Sequence, residues 1–169
     1  MNNEVNTLYM TKAVAGILGL VGSIVAFSSC EKKEESYPDT PEITYQGVSG
    51  TNITVGADTS SQNNWYLYYD FVDGNGDLGT KFEDVTMRVF LVDTTNGKDY
   101  EFPFPYIPQQ DRSGKKYLKG HGEIRLRISE FFRLPTGVNS DTAVFSLYIV
   151  DESGNKSNVI YADPVIYSR

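Results

Sequence analysis

From Glu42 onward, apolar and polar residues alternate at a period of two, and that rhythm most limits what the chain can become. Trp65, Leu67, Tyr69 and Phe71 share one side of the segment Trp65–Phe71, and Tyr66, Tyr68 and Asp70 share the other. Successive side chains of an extended strand point to opposite faces, so this pattern buries one face of a sheet and wets the other. Val85, Met87, Val89 and Leu91 repeat it, as do Ile124, Leu126 and Ile128 between Glu123, Arg125 and Arg127. Ile43–Val48 and Asn52–Val55 are two shorter strands ahead of these. Asn96-Gly97 predicts a two-residue type I′ hairpin turn into a return strand Lys98–Phe104, which Pro103 and Pro105 confine to an edge. Ser129–Thr136 reads as a connection with at most one helical turn. Thr142–Val150 reads as a central strand, and Val159–Tyr167 as a last strand that Pro164 places at an edge. The expected fold is all-β: a single immunoglobulin-like antiparallel β-sandwich of seven to eight strands. A lone cysteine cannot staple such a sandwich internally, so aromatic packing around Trp65 must build its core.

The first thirty residues follow a different pattern. Ala13–Phe27 carries no charge over fifteen residues, which as a helix spans about 22 Å, short of a ~30 Å hydrocarbon core. The length suits a signal-peptide apolar region. It ends in Phe27-Ser28-Ser29-Cys30, which resembles a bacterial lipobox: small residues fit the peptidase, and the thiol of Cys30 accepts the diacylglyceryl group. Phe27 stands where an aliphatic residue is usual. The expected organisation is a lipoprotein signal peptide at 1–29, a lipidated N-terminus and flexible tether at 30–41, and the sandwich at 42–169. Acyl chains contribute ~0.8 kcal/mol per buried CH₂, so two or three would hold the protein on a membrane with no spanning helix. Lys33-Glu34-Glu35 resembles the export tag of surface lipoproteins in Bacteroidetes, and reads equally as a solvated linker.

The formal charge of −7 argues against a nucleic-acid partner, because affinity there comes from Lys and Arg on phosphates. That charge is segregated. Arg112, Lys115, Lys116, Lys119, Arg125 and Arg127 face only Glu123 within their segment, giving +5 there and −12 elsewhere. The segment reads as an anion-binding patch, or as basic side chains that guard a sheet edge against pairing.

The acidic remainder contains the most distinctive stretch, Asp70–Gly79. Asp73, Asn75 and Asp77 put oxygens at alternate positions, and Asp84 falls twelfth when Asp73 is counted as the first. Calcium loops use that spacing to aim alternate side chains at one centre. Leu78 occupies the sixth position, where a calcium loop has glycine. The other reading is a self-capped turn, with Gly74, Gly76 and Gly79 at positive φ. If calcium binds, Asp70, Glu83 or the Asp151-Glu152 turn are the further candidate ligands.

Two motifs, Phe71-Val72-Asp73-Gly74-Asn75-Gly76-Asp77-Leu78-Gly79 and Asp151-Glu152-Ser153-Gly154-Asn155-Lys156-Ser157-Asn158, carry a resemblance. Over most of Pro41–Arg169 the chain resembles Bacteroidetes cell-envelope lipoproteins of uncharacterised function, in which an Asp-Gly-Asp-Gly-Asp loop precedes a Gly-Asn-x-Ser-Asn terminal hairpin. Asn75 stands where that loop has Asp, and Glu152 and Ser153 also depart from the pattern. The resemblance implies an immunoglobulin-like fold and an envelope address, and no activity.

Catalytic groups are sparse. His121 is the sole imidazole, no Gly-x-Ser-x-Gly elbow occurs, and the phosphate-cradling and dinucleotide fingerprints are absent. Glu83, Glu123 and Glu130 are the nominal carboxylates for a glycan hydrolase. The sequence therefore predicts a non-catalytic module, lipid-anchored at the outer membrane or cell surface, that binds or supports other envelope components. The alternative is a glycan- or protein-binding accessory of a nutrient-uptake system, with Phe102, Phe104 and Tyr106 stacking on sugar.

Overall fold

A computed structural model describes residues 35–56, 63–112 and 115–169. The leader 1–29 and Cys30 lie outside the described residues. The strands are β1 (Glu42–Val48), β2 (Asn52–Thr54), β3 (Asn64–Asp73), β4 (Met87–Asp93), β5 (Lys98–Pro103), β6 (Leu118–Arg127), β7 (Ser140–Ala143), β8 (Phe145–Ile149), β9 (Ile160–Tyr161) and β10 (Val165–Ser168). A 3-10 turn at Gln109–Arg112 and one α-helical turn, α1 (Ile128–Phe131), interrupt them. Among the described residues no helix is long and apolar enough to cross a membrane.

The fold is an all-β sandwich. Three sheets build it: β1-β3-β6, β2-β10-β7 and β5-β4-β8-β9. The second and last described strands meet in parallel: β2 pairs with β10. Trp65 of β3 packs on Phe145 of β8, so the β1-β3-β6 sheet and the β5-β4-β8-β9 sheet enclose the core between them. Seven to eight strands were expected and ten are present among the described residues, because the last two expected strands are each broken. Thr142–Val150 divides at Val144 into β7 and β8, and Val159–Tyr167 divides at Ala162–Pro164 into β9 and β10. Val144 bonds to the β4–β5 turn instead of a strand: its N–H donates to Thr95 Oγ1 (3.1 Å), and its carbonyl accepts from Thr94 N–H (2.8 Å). Pro164 has no N–H for a ladder, so the partner strand breaks opposite. β10 sits between β2 and β7 as a central strand, which corrects the edge placement for that half of Val159–Tyr167, while β9 does lie at the edge of its sheet.

Two further expectations change. Strand β4 begins at Met87, leaving Val85 outside the ladder and 77% exposed. The β4–β5 connection holds four residues, Thr94–Gly97, closed by Gly97 N–H to Asp93 O (2.8 Å). A type I′ turn needs positive φ at both central residues, and Gly97 has it (+63°) while Asn96 does not. Asp93 instead caps the turn, its Oδ1 accepting from Thr95 N–H (3.0 Å) and Asn96 N–H (3.2 Å).

The core forms where the predicted inward faces meet. Trp65, Leu67, Tyr69 and Phe71 of β3 are all buried, as are Val89 and Leu91 of β4 and Phe145, Leu147 and Ile149 of β8. Trp65 lies between the sheets, 5.4 Å from the Phe145 ring and 5.7 Å from Phe132. Its indole N–H donates to Gly50 O (2.8 Å), which satisfies the one polar atom of the plug.

Candidate functional site

The glycine loop leaves the end of β3 and folds over the end of the sandwich. Burial there is deep: Asp73 and Leu78 are fully enclosed. The loop is held from three directions, each distant in sequence.

The first hold is Arg112, whose guanidinium is buried and donates to three backbone carbonyls. Nη1 donates to Gly76 O (2.7 Å), Nη2 to Leu78 O (2.6 Å) and Nε to Ile107 O (3.0 Å). Carbonyls in a tight loop have no ladder partner, and a planar fork of N–H groups can serve several at once. Arg112 was expected in an exposed anion patch; its side chain is instead a clamp inside the loop.

The second hold is the Asp151–Asn155 turn after β8. Glu152 Oε1 accepts from Thr80 N–H (2.8 Å) and Thr80 Oγ1 (2.6 Å), and Oε2 pairs with Lys81 (3.2 Å). Burial pushes the Glu152 carboxyl up, but these donors outweigh it and the net shift is downward. Ser153 Oγ donates to Asp77 Oδ2 (2.5 Å). The two motifs that carry the resemblance are thus in direct contact. The rest of the second motif secures its own hairpin. Asn155 donates twice to Asp151, through N–H (2.7 Å) and Nδ2 (2.8 Å). Asn158 brackets Ile43 of β1, accepting from its N–H and donating to its carbonyl, both at 2.8 Å.

The third hold comes from the expected tether. Gly74 N–H donates to Pro38 O (2.8 Å), and a Cβ on Gly74 would run into the carbonyl oxygens of Tyr37 and Pro38. Gly74 is therefore required for close approach, while positive φ belongs to Gly76 (+67°) and Gly79 (+61°) only. Tyr37 packs edge-on against Tyr117 at 4.8 Å, with Lys119 Nζ 5.8 Å from the Tyr37 ring centre. The compact unit accordingly runs Ser36–Arg169, so the last residues of the expected flexible segment belong to the domain.

Of the expected ligands, Asp73 and Asp77 come together, and Asp151 joins them: one carboxylate oxygen of each lies within 4.8 Å of the others. Asp73 Oδ2 accepts from Leu78 N–H (3.1 Å), but Asp73 Oδ1 and Asp77 Oδ1 are buried with no hydrogen-bond donor. Burial pushes the Asp73 carboxyl up to about 6, opposed by the Leu78 N–H and reinforced by the charges of Asp77 and Asp151. Asn75 turns its Oδ1 onto Asp77 N–H (3.1 Å), the self-capped geometry. Asp84 is outside the cluster. Its Oδ1 accepts from Thr86 N–H (2.9 Å) and its Oδ2 from Arg88 Nη2 (3.3 Å), and Thr86 first, then Arg88, hold its carboxyl down at about 2. The twelfth-position expectation fails because no helix follows the loop; the chain turns at Glu83 (φ +61°) and enters β4. Asp70 is engaged elsewhere, with Gln46 Nε2 (2.7 Å) and His121 Nδ1.

The basic segment is dispersed. Arg112, Lys115 and Lys116 line a hollow of about 160 Å³ beside Gly76, whereas Lys119, Arg125 and Arg127 lie along the exposed face of edge strand β6. Arg127 pairs with Glu130. The nominal hydrolase carboxylates are likewise apart: Glu83 in the β3–β4 loop, Glu123 on the exposed face of β6, Glu130 on α1. Of the aromatics proposed to stack on sugar, Phe104 is core, packed against Phe71 at 5.3 Å, and Phe102 is half-buried. Tyr106 is 41% exposed beside Phe82. Sequence reasoning missed Arg112 as a clamp. The signal was its place just after a proline-rich loop whose carbonyls lack strand partners.

No family model, curated protein or solved structure matches the chain.

Proposed function

We propose that the chain is a non-catalytic, lipid-anchored protein of the cell envelope, a binding or structural module carried on the outer membrane. The observation that carries this reading is the placement of the only cysteine, Cys30, after small residues at the end of the uncharged run Ala13–Phe27. The docking of Tyr37 and Pro38 adds a consequence. Six residues lie between Cys30 and Tyr37, and the seven steps along the chain reach about 25 Å when fully extended. A lipid on Cys30 would therefore hold the glycine-loop end of the sandwich near the bilayer, on a short leash. The non-catalytic part rests on the scatter of Glu83, Glu123 and Glu130 over separate elements.

Metabolic labelling with palmitate tests the anchor. Label should enter the wild-type chain and be absent from a Cys30→Ala variant. Equal labelling of the two would refute the reading.

A further inference from the structure

We propose that Asp73, Asp77 and Asp151 form a calcium site that joins the glycine loop to the Asp151–Asn155 turn. Three observations carry it, none of which depends on the lipid anchor.

The first is geometry. One oxygen from each carboxylate lies within 4.8 Å of the other two. Oxygens bound to one calcium at 2.3–2.6 Å are at most about 5.2 Å apart, so the spacing of the three suits a common ion. The donors are all carboxylate oxygen, which selects a hard cation over the metals that seek thiolate or imidazole.

The second is the state of the oxygens. Asp73 is fully buried, yet its Oδ1 meets no donor, and Asp77 Oδ1 is enclosed in the same condition. Buried carboxylates elsewhere in this chain are treated differently. Asp93 uses both oxygens to cap its turn, taking N–H groups on Oδ1 and Asn96 Nδ2 (2.9 Å) on Oδ2. An ionised oxygen removed from water with no donor is costly, and two of them side by side cost more. A divalent cation satisfies both.

The third is the absence of a protein counter-charge at the cluster. Among the described residues no basic side chain forms an ion pair with Asp73, Asp77 or Asp151. Arg88 donates to the backbone carbonyl of Asp151 (2.6 Å) and pairs with Asp84, and Arg112 spends its donors on carbonyls, so neither guanidinium pairs with the three carboxylates. Ser153 donates to Asp77 Oδ2 and Asn155 to both oxygens of Asp151, which orients these carboxylates as outer hydrogen bonds orient metal ligands. Calcium takes six to eight oxygens, so water would complete the shell.

The test is titration calorimetry of the purified full-length chain with calcium chloride, paired with thermal unfolding in calcium, in magnesium and in a chelator. One calcium should bind per chain, with a melting temperature at least 5 °C higher in millimolar calcium than in chelator and a smaller rise in magnesium. Asp77→Asn should abolish the calcium-dependent rise while melting in chelator no lower than wild type, because it removes one of the opposed charges. No heat and no calcium-dependent shift in the wild-type chain would overturn the proposal, whatever the variant does. A calcium rise retained in full by a folded Asp77→Asn variant would overturn the ligand assignment.

Discussion

Replacing Arg112 with methionine tests whether a buried arginine holds the glycine loop. Methionine keeps the length and the apolar stem and removes the fork. Gly76, Leu78 and Ile107 each lose a charge-assisted hydrogen bond of 2.6–3.0 Å. Such bonds contribute about 1.5–3 kcal/mol each, but three on one guanidinium do not add, and desolvating the charge offsets part of them. Leu78 is fully buried, so its carbonyl is left without water, whereas Gly76 is half-buried and can be rehydrated. The net loss expected is about 3 kcal/mol. At ~2.1 cal/mol/K per residue over a domain of about 130 residues, the unfolding entropy is ~0.3 kcal/mol/K, and the midpoint should fall by about 10 °C. Arg112→Lys keeps the charge but serves fewer carbonyls, and should lose less than Arg112→Met. Thermal unfolding followed by circular dichroism in chelator measures the shift without any contribution from bound metal. A fall below about 3 °C for Arg112→Met would refute the clamp, and so would Arg112→Lys matching wild type. Amide exchange supplies a local readout, since the N–H of Leu78 should lose protection before the strands do.

Two other perturbations probe the neighbouring holds. Gly74→Ala places a methyl against the Tyr37 and Pro38 carbonyls; the 36–40 segment should detach and become sensitive to limited proteolysis, while unchanged cleavage would show that the contact does not hold it. In chelator, Asp73 should make stability fall as pH rises. Burial pushes its folded carboxyl up to about 6 from an ordinary 3.8, so the native state holds the extra proton between those values. Its favourable contribution is complete below ~4 and lost above ~6, a swing of about 3 kcal/mol. The difference between wild type and Asp73→Asn in urea midpoints should therefore grow from pH 4 to pH 7, and parallel profiles would refute the assignment.

The sheet faces were legible because the strand period is two and burial follows it residue by residue. β3 alternates from Trp65 to Asp73 as its sequence does. The single helical turn at α1 was legible for a related reason, since Ser129–Thr136 breaks the alternation without offering a helical repeat. What was not legible depended on hydrogen bonds across the fold. The interruption at Val144 exists because Thr94 and Thr95 take its backbone groups, and the apolar run Thr142–Val150 gives no sign of it. The spacing of Asp73, Asn75 and Asp77 indicated a turn, and the Asp151-Glu152 turn was among the candidates to complete it, but only the fold chooses Asp151 over Asp70 and Glu83 and draws Asp84 to Arg88. A run of basic residues gives a net charge and no direction, so Arg112 could be counted there but not placed.

The loop separates two tasks that one arginine could have combined. An arginine aimed at Asp73 would neutralise the carboxylate and fix the loop at once, making the loop a closed ion pair. Arg112 instead fixes the backbone through Gly76 and Leu78 and leaves the carboxylates uncompensated. Glu152 and Pro38 do the same from their sides, binding Thr80 and Gly74 and not the acids. The loop geometry is therefore set by contacts that do not change when a cation binds, and the cation meets preorganised oxygens. Binding to such a site offsets charge repulsion and desolvation rather than the entropy of ordering a loop. Calcium should accordingly raise global stability while leaving the exchange protection of the loop amides, relative to the core, nearly unchanged. A loop that ordered only on binding would show the opposite, with amides from Gly74 to Gly79 unprotected in chelator and protected in calcium.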